Sequence, residues 1–118
     1  MDKAVTMENR HHKSLTSERW QSYAIDRQIL MIGSEFARAK ALLRSGSIDL
    51  AKQCFERAFE LLDLCPADPQ WSGKLRELLR FREILGELYI AQNPDIGQCV
   101  ELYRVLLSWD RRTQTVEP

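Results

Sequence analysis

Turn-forming residues are scarce in this sequence, with five glycines and four prolines among 118 residues, gathered at a few places. A sandwich or barrel needs a turn every roughly 8 to 12 residues. An all-β fold is therefore excluded, and long helices with short connections are expected. Histidine is scarcer still: His11 and His12, side by side in a polar opening stretch, are the only two. Histidine is the side chain that most often supplies a base near neutral pH. With both copies in a tail, neither a Ser-His-Asp nor a Cys-His arrangement is expected on the folded body. The Glu-x-x-His pattern of carboxylate-bridged di-iron bundles does not occur either. Glycines 33, 46, 73, 86 and 97 are isolated, so no phosphate-cradling loop is present. The chain is read as a non-enzyme with no cofactor and no bound metal.

Cysteine is equally uninformative as chemistry. Cys54, Cys65 and Cys99 are odd in number and form no CxxC pair, which indicates neither a disulfide framework nor a zinc knuckle. They read as small buried apolar side chains in a reducing compartment. Charge of either sign is not in excess, since seventeen basic residues balance seventeen acidic ones. No global field draws the chain to nucleic acid or to an anionic membrane. Long apolar runs are missing, and the opening stretch lacks the hydrophobic segment of a signal peptide. A cytoplasmic protein away from membranes is the expectation.

What is present is helical periodicity. The 44% hydrophobic and 29% charged composition is that of a folded domain of ordinary size. Ile25, Ile29, Ile32, Phe36, Ala39 and Leu43 recur at steps of four and three, predicting one long helix over 17–44. Gly33 and Ser34 could kink it, but the stripe keeps its phase across them. Ser45-Gly46 closes that helix and Ser47 caps the next, over 48–64, with Ala51, Phe55, Ala58, Leu62 and Cys65 inward. Asp68 and Pro69 open a third helix, over 69–92, with Leu75, Leu78, Phe81, Leu85 and Leu88 inward. Asn93-Pro94-Asp95 restarts the chain into a fourth, over 94–109, which turns Ile96, Cys99, Tyr103 and Leu106 to the core. Residues 1–16 read as a flexible tail, 17–110 as one helical domain, and 111–118 as a frayed end.

The two helix pairs echo one another: Ala51, Phe55 and Ala58 align with Cys99, Tyr103 and Leu106. The run from Leu42 to Leu61, with Ala51 followed four residues later by Phe55, resembles the second half of a tetratricopeptide repeat. Leu85-Gly86 followed by Tyr89 is similar to the first-helix signature of that family. The resemblance implies an all-α fold of two consecutive antiparallel hairpins, with the first helix of each pair lining a concave groove. Ala39 stands where the family prefers glycine, and the spacing from Ala51 to Cys99 exceeds the roughly 34-residue period. An up-down four-helix bundle is the other arrangement the pattern fits.

The function expected is a protein-interaction module, an adaptor or small chaperone-like subunit that presents a helical face to a peptide or helical partner. Lys40, Arg44, Arg76 and Arg80 would face the groove that the resemblance implies. The pairs Lys40/Arg44 and Arg76/Arg80 place like charges on adjacent turns, which suits an acidic peptide or carboxylate. Trp20 and Met31 widen the apolar surface of the first helix and mark it as the contact for a partner or a second copy. The alternative is a nucleic-acid-binding or regulatory protein using Lys74, Arg76, Arg80 and Arg82 as a phosphate-contacting strip. Balanced charge and the lack of a helix-turn-helix signature argue against it.

Overall fold

The computed structural model describes residues 15–118; the first fourteen residues of the expected tail, His11 and His12 included, lie outside the described residues. The described residues are helical and contain no strand. In order they form α1 (Ser17–Gln21), α2 (Ile25–Arg44), α3 (Ile48–Leu62), a 3-10 turn (Pro69–Lys74), α4 (Leu75–Ile90) and α5 (Ile96–Leu107). The described residues thus hold five α-helices where the periodicity predicts four.

The fifth helix comes from a break in the first. Gly33-Ser34 leaves α2 intact, and the chain interrupts at Ser22, Tyr23 and Ala24 instead, with Ala24 extended. The reason lies in α2 itself. The buried Gln28 Nε2 donates to the Trp20 carbonyl at 2.8 Å and to the Tyr23 carbonyl at 3.1 Å, both next to the break. A polar side chain outside the apolar stripe thus fixes a backbone feature that hydrophobic periodicity does not report.

Gly46 closes α2 with φ of 80°, as the sequence predicts, and the Ser47 amide donates to the Leu42 carbonyl at 2.8 Å. Ser47 makes no side-chain cap; its hydroxyl lies 3.1 Å from that of Ser45. Asp68 caps the next element by accepting from the Gln70 amide at 3.0 Å, but Pro69 begins a 3-10 turn, and the α-helix starts six residues later. That delay changes the fate of Leu75. Expected inward, it is exposed at the first turn of α4, whereas Leu78, Phe81, Leu85 and Leu88 are buried as expected.

Helix α2 packs against α3 and α5, and α4 packs against the same two helices. Phe36 sits at the middle of this arrangement, with ring centroids 6.2 Å from Phe55 on α3, 5.7 Å from Phe81 on α4 and 6.2 Å from Tyr103 on α5. Gly33 makes room for the last of these: a Cβ there would lie 2.8 Å from Tyr103 Cε1. Gly33→Ala is therefore expected to destabilise the protein. Overpacking costs about 1–3 kcal/mol, and the gain in helix propensity returns at most about 1. Chemical denaturation of the two proteins measures the difference.

Residues 111–118, expected to fray, carry specific contacts. Thr113 is fully buried and its hydroxyl donates to the Leu107 carbonyl at 2.6 Å. Arg112 lies 3.6 Å from Asp26 near the start of α2, and Lys40 near its end donates to the Pro118 carbonyl at 3.1 Å. The segment runs alongside α2 as a strap.

Candidate functional site

The four cations expected in one groove are dispersed. Lys40 is half-buried and engaged by Pro118, while Arg44 is exposed at the end of α2. Arg76 and Arg80 are exposed on α4. Helices α2 and α4 meet through the core rings of Phe36 and Phe81. Trp20 is fully buried because the break after α1 turns it inward, edge-on to Tyr23 at 6.5 Å, so it is a core residue and not a partner contact. Met31 is half-buried and packed against the core.

Of three internal polar groups that could carry chemistry, Gln28 and Glu35 are taken up by structure. Gln28 accepts from Trp71 Nε1 at 2.6 Å and donates to Asp68 Oδ2 at 2.8 Å, joining α1, α2 and the 3-10 turn. Glu35, buried on α2, accepts from Arg57 at 3.1 Å and from Arg38 at 2.7 Å, so one carboxylate carries two guanidinium partners. Trp20 Nε1 has no hydrogen-bond partner of good geometry among the described residues, although it interacts with the Cys65 thiol.

The cysteines are buried and free. Burial, and after it the nearby Asp68 carboxylate, pushes the Cys65 thiol up, and burial pushes Cys99 up to about 11. Both shifts favour the neutral thiol in the folded state. Their contribution to stability is full below the ordinary thiol pKa of about 8.5 and is lost as pH rises through the folded values. At pH 8 the folded protein is expected to resist a thiol-directed reagent and to expose its three thiols on unfolding, with reducing agent leaving Tm unchanged. Absorbance titration with and without denaturant checks this.

A further feature is a surface groove of about 190 Å³ between α4 and α5, lined by Glu77, Arg80, Phe81, Ile84, Leu102, Val105 and Trp109. Positions 77, 80, 81 and 84 fall on one side of α4 by helical spacing. Phe81 and Trp109 form its inner wall, ring centroids 5.1 Å apart, and Trp109 is backed by Trp71 at 5.8 Å. Val105 stands exposed on the α5 side. Of the cations expected at a binding surface, Arg80 lies here.

No family model, curated protein or solved structure matches this chain. The groove is therefore interpreted on its own chemistry. It is apolar with one acidic and one basic residue on its α4 side, and it suits an apolar side chain flanked by polar groups. Among the described residues no group of three or more His, Cys, Asp and Glu could hold a metal ion, and no helix is long and apolar enough to cross a membrane. Ile84, Leu102 and Val105 were not singled out by the sequence pattern. Leu102 is itself a core residue, three positions after Cys99 and four before Leu106, and that spacing was the available signal; Ile84 and Val105 lie beside the main stripes of their helices.

Proposed function

We propose that this chain is a non-catalytic protein-interaction module, an adaptor or small chaperone-like subunit, that receives an apolar side chain of a protein or peptide partner in the α4–α5 groove. Arg80 at its edge meets an acidic group of the partner. The observation that carries the reading is the groove itself, an apolar recess walled by Phe81 and Trp109, with Val105 exposed on its α5 side. A concave apolar site with a few polar groups at its edge is the usual form of a binding pocket. A cytoplasmic location belongs to the same reading and is supported by three free thiols.

The packing of α2 and α4 each against α3 and α5 supports a closed up-down bundle, with α1 and the 3-10 turn at one end. In a tetratricopeptide-like pair the first helices, α2 and α4, would line a common groove instead. The nucleic-acid reading loses one of its four cations to Asp63, which accepts from Arg82 at 2.7 and 3.2 Å. Glu77 and Glu83 further interrupt the strip.

Selection of a random peptide library on the immobilised protein tests the proposal. Selected peptides are expected to share a large apolar residue near a carboxylate, and Val105→Asp is expected to abolish their binding while leaving helicity unchanged. Peptides that bind Val105→Asp as well as the parent would overturn the groove, and salt-sensitive retention on heparin would favour the nucleic-acid alternative.

A further inference from the structure

The outer face of α4 carries a second ridge that the bundle does not use. Leu75, Leu79, Gly86 and Ile90 are spaced by four, seven and four residues and so lie along one side of the helix, away from the buried Leu78, Phe81, Leu85 and Leu88. Leu79 is 63% exposed and Ile90 78%. Gly86 sits in the middle of the helix, where glycine is destabilising relative to alanine. Among the described residues nothing packs where its side chain would be, because a Cβ there would meet no atom within 4 Å. A glycine on an exposed apolar ridge with open space above it permits close approach of another backbone.

Charge is polarised on the flank of the helix beside this ridge, with Glu77 on the side of the helix opposite the ridge. Arg76 and Arg80 stand in the helix's first half and Glu83 and Glu87 in its second, all exposed, and none of the four has an ion-pair partner among the described residues. Leu75 and Ile90 are equidistant from the middle of the ridge, and so are Leu79 and Gly86. The charges share that midpoint to within one residue.

We infer that a second copy of this chain docks on this ridge, the two α4 helices antiparallel about a two-fold axis near Arg82 and Glu83. Leu79 of each copy then sits over Gly86 of the other, and Leu75 over Ile90. Arg76 meets Glu87 of the second copy and Arg80 meets its Glu83, with the reciprocal pairs formed by symmetry. A parallel two-fold pairing would put the charged flanks of the two copies on opposite sides of the contact, where they could not pair. The pattern is self-complementary in one direction, as an isologous interface demands. Sixteen residues of helix span about 24 Å, so the contact falls at the small end of specific interfaces and gives a reversible, concentration-dependent dimer. The ridge lies on a different side of α4 from the groove. Arg80 at the groove's edge is shared by the two assignments, whereas Val105 belongs to the groove and Leu79 to the ridge, so variants of these two residues test them separately.

Sedimentation equilibrium over micromolar to near-millimolar concentrations tests the inference. The parent chain is expected to show a monomer–dimer equilibrium. Leu79→Glu is expected to weaken it at least roughly tenfold with an unchanged circular dichroism spectrum, because Leu79 makes no contribution to the core. Arg76→Glu and Glu87→Arg should each weaken dimerisation, and the two together in one chain should restore it. Val105→Asp in the groove should leave it unchanged. A parent that stays monomeric throughout, or a doubly exchanged chain no better than either single variant, overturns the antiparallel dimer without touching the groove.

Discussion

Gln28→Leu is expected to lower the stability of the protein by about 2–4 kcal/mol, with a fall in Tm on the order of 10 °C. The side chain is fully buried and its carboxamide contacts four groups, Trp71 Nε1 at 2.6 Å, the Trp20 and Tyr23 carbonyls at 2.8 and 3.1 Å, and Asp68 Oδ2 at 2.8 Å. They do not suffer equally. Gln70 Nε2 still donates to the Tyr23 carbonyl and to Asp68, and the Tyr23 amide still donates to the Trp20 carbonyl. Trp71 Nε1 is left buried with no replacement acceptor, and that orphaned donor is the largest part of the loss. Thermal and urea unfolding followed by circular dichroism measure it. A leucine variant as stable as the parent would show that the network is incidental to the join between α1, α2 and the 3-10 turn.

Gln28→Glu separates the network from simple packing. A carboxyl group at this position keeps its acceptor for Trp71 but turns an oxygen toward Asp68 and the two carbonyls, where the carboxamide donated. Burial and the Asp68 carboxylate both favour its protonated form, so its folded pKa rises above the unfolded value of about 4.3. A raised folded pKa contributes stability that is full below the unfolded value and lost as pH rises through the folded one. The glutamate variant should therefore approach the parent near pH 4 and fall away from it toward neutrality. A stability difference independent of pH would count against this account.

The contrast between α2 and α4 shows what was legible in the sequence and what was not. The apolar stripe of α2 fixed its core face, since Ile29, Ile32, Phe36, Ala39 and Leu43 are all buried. Glycine and proline placed the ends of α2 and α3 to within about two residues, as conformational preference should. The break at Ser22 to Ala24 was not legible because it depends on Gln28 reaching back to carbonyls, a contact that periodicity does not encode. Leu75 was misplaced for a related reason: the 3-10 turn shifts the start of α4, and a one-turn change at a helix start alters which leucine faces inward. The site fared worse. Arg76 and Arg80 are exposed as expected, but which helices stand beside them depends on tertiary packing. A resemblance in local pattern could not decide whether α2 or α5 would be the neighbour.

Phe36→Ala is expected to cost about 3–5 kcal/mol. Phe36 is the one ring that touches rings from all three other long helices, Phe55, Phe81 and Tyr103, and it stacks on Tyr103 with an interplanar angle of 23°. Deleting it opens a cavity between elements that cannot close together, because α2 is held against α3 by Glu35 and Arg57 and against the C-terminal strap by Lys40. A loss of this size is a large share of the about 5–15 kcal/mol that holds a domain folded. The half-buried Phe59 provides the comparison, since its ring meets Tyr89 edge-on at 5.8 Å near the surface, and Phe59→Ala should cost clearly less. Coupling supplies the sharper test. Phe36→Ala and Phe81→Ala empty adjoining parts of one cavity, so the double variant should lose less than the two single losses combined, by about 0.5–1.5 kcal/mol. Phe36→Ala combined with Phe59→Ala should be additive within about 0.5 kcal/mol, because the two side chains share no ring contact. Additivity in the first pair would mean that the rings of α2 and α4 do not support one another, and the central role given to Phe36 would be wrong.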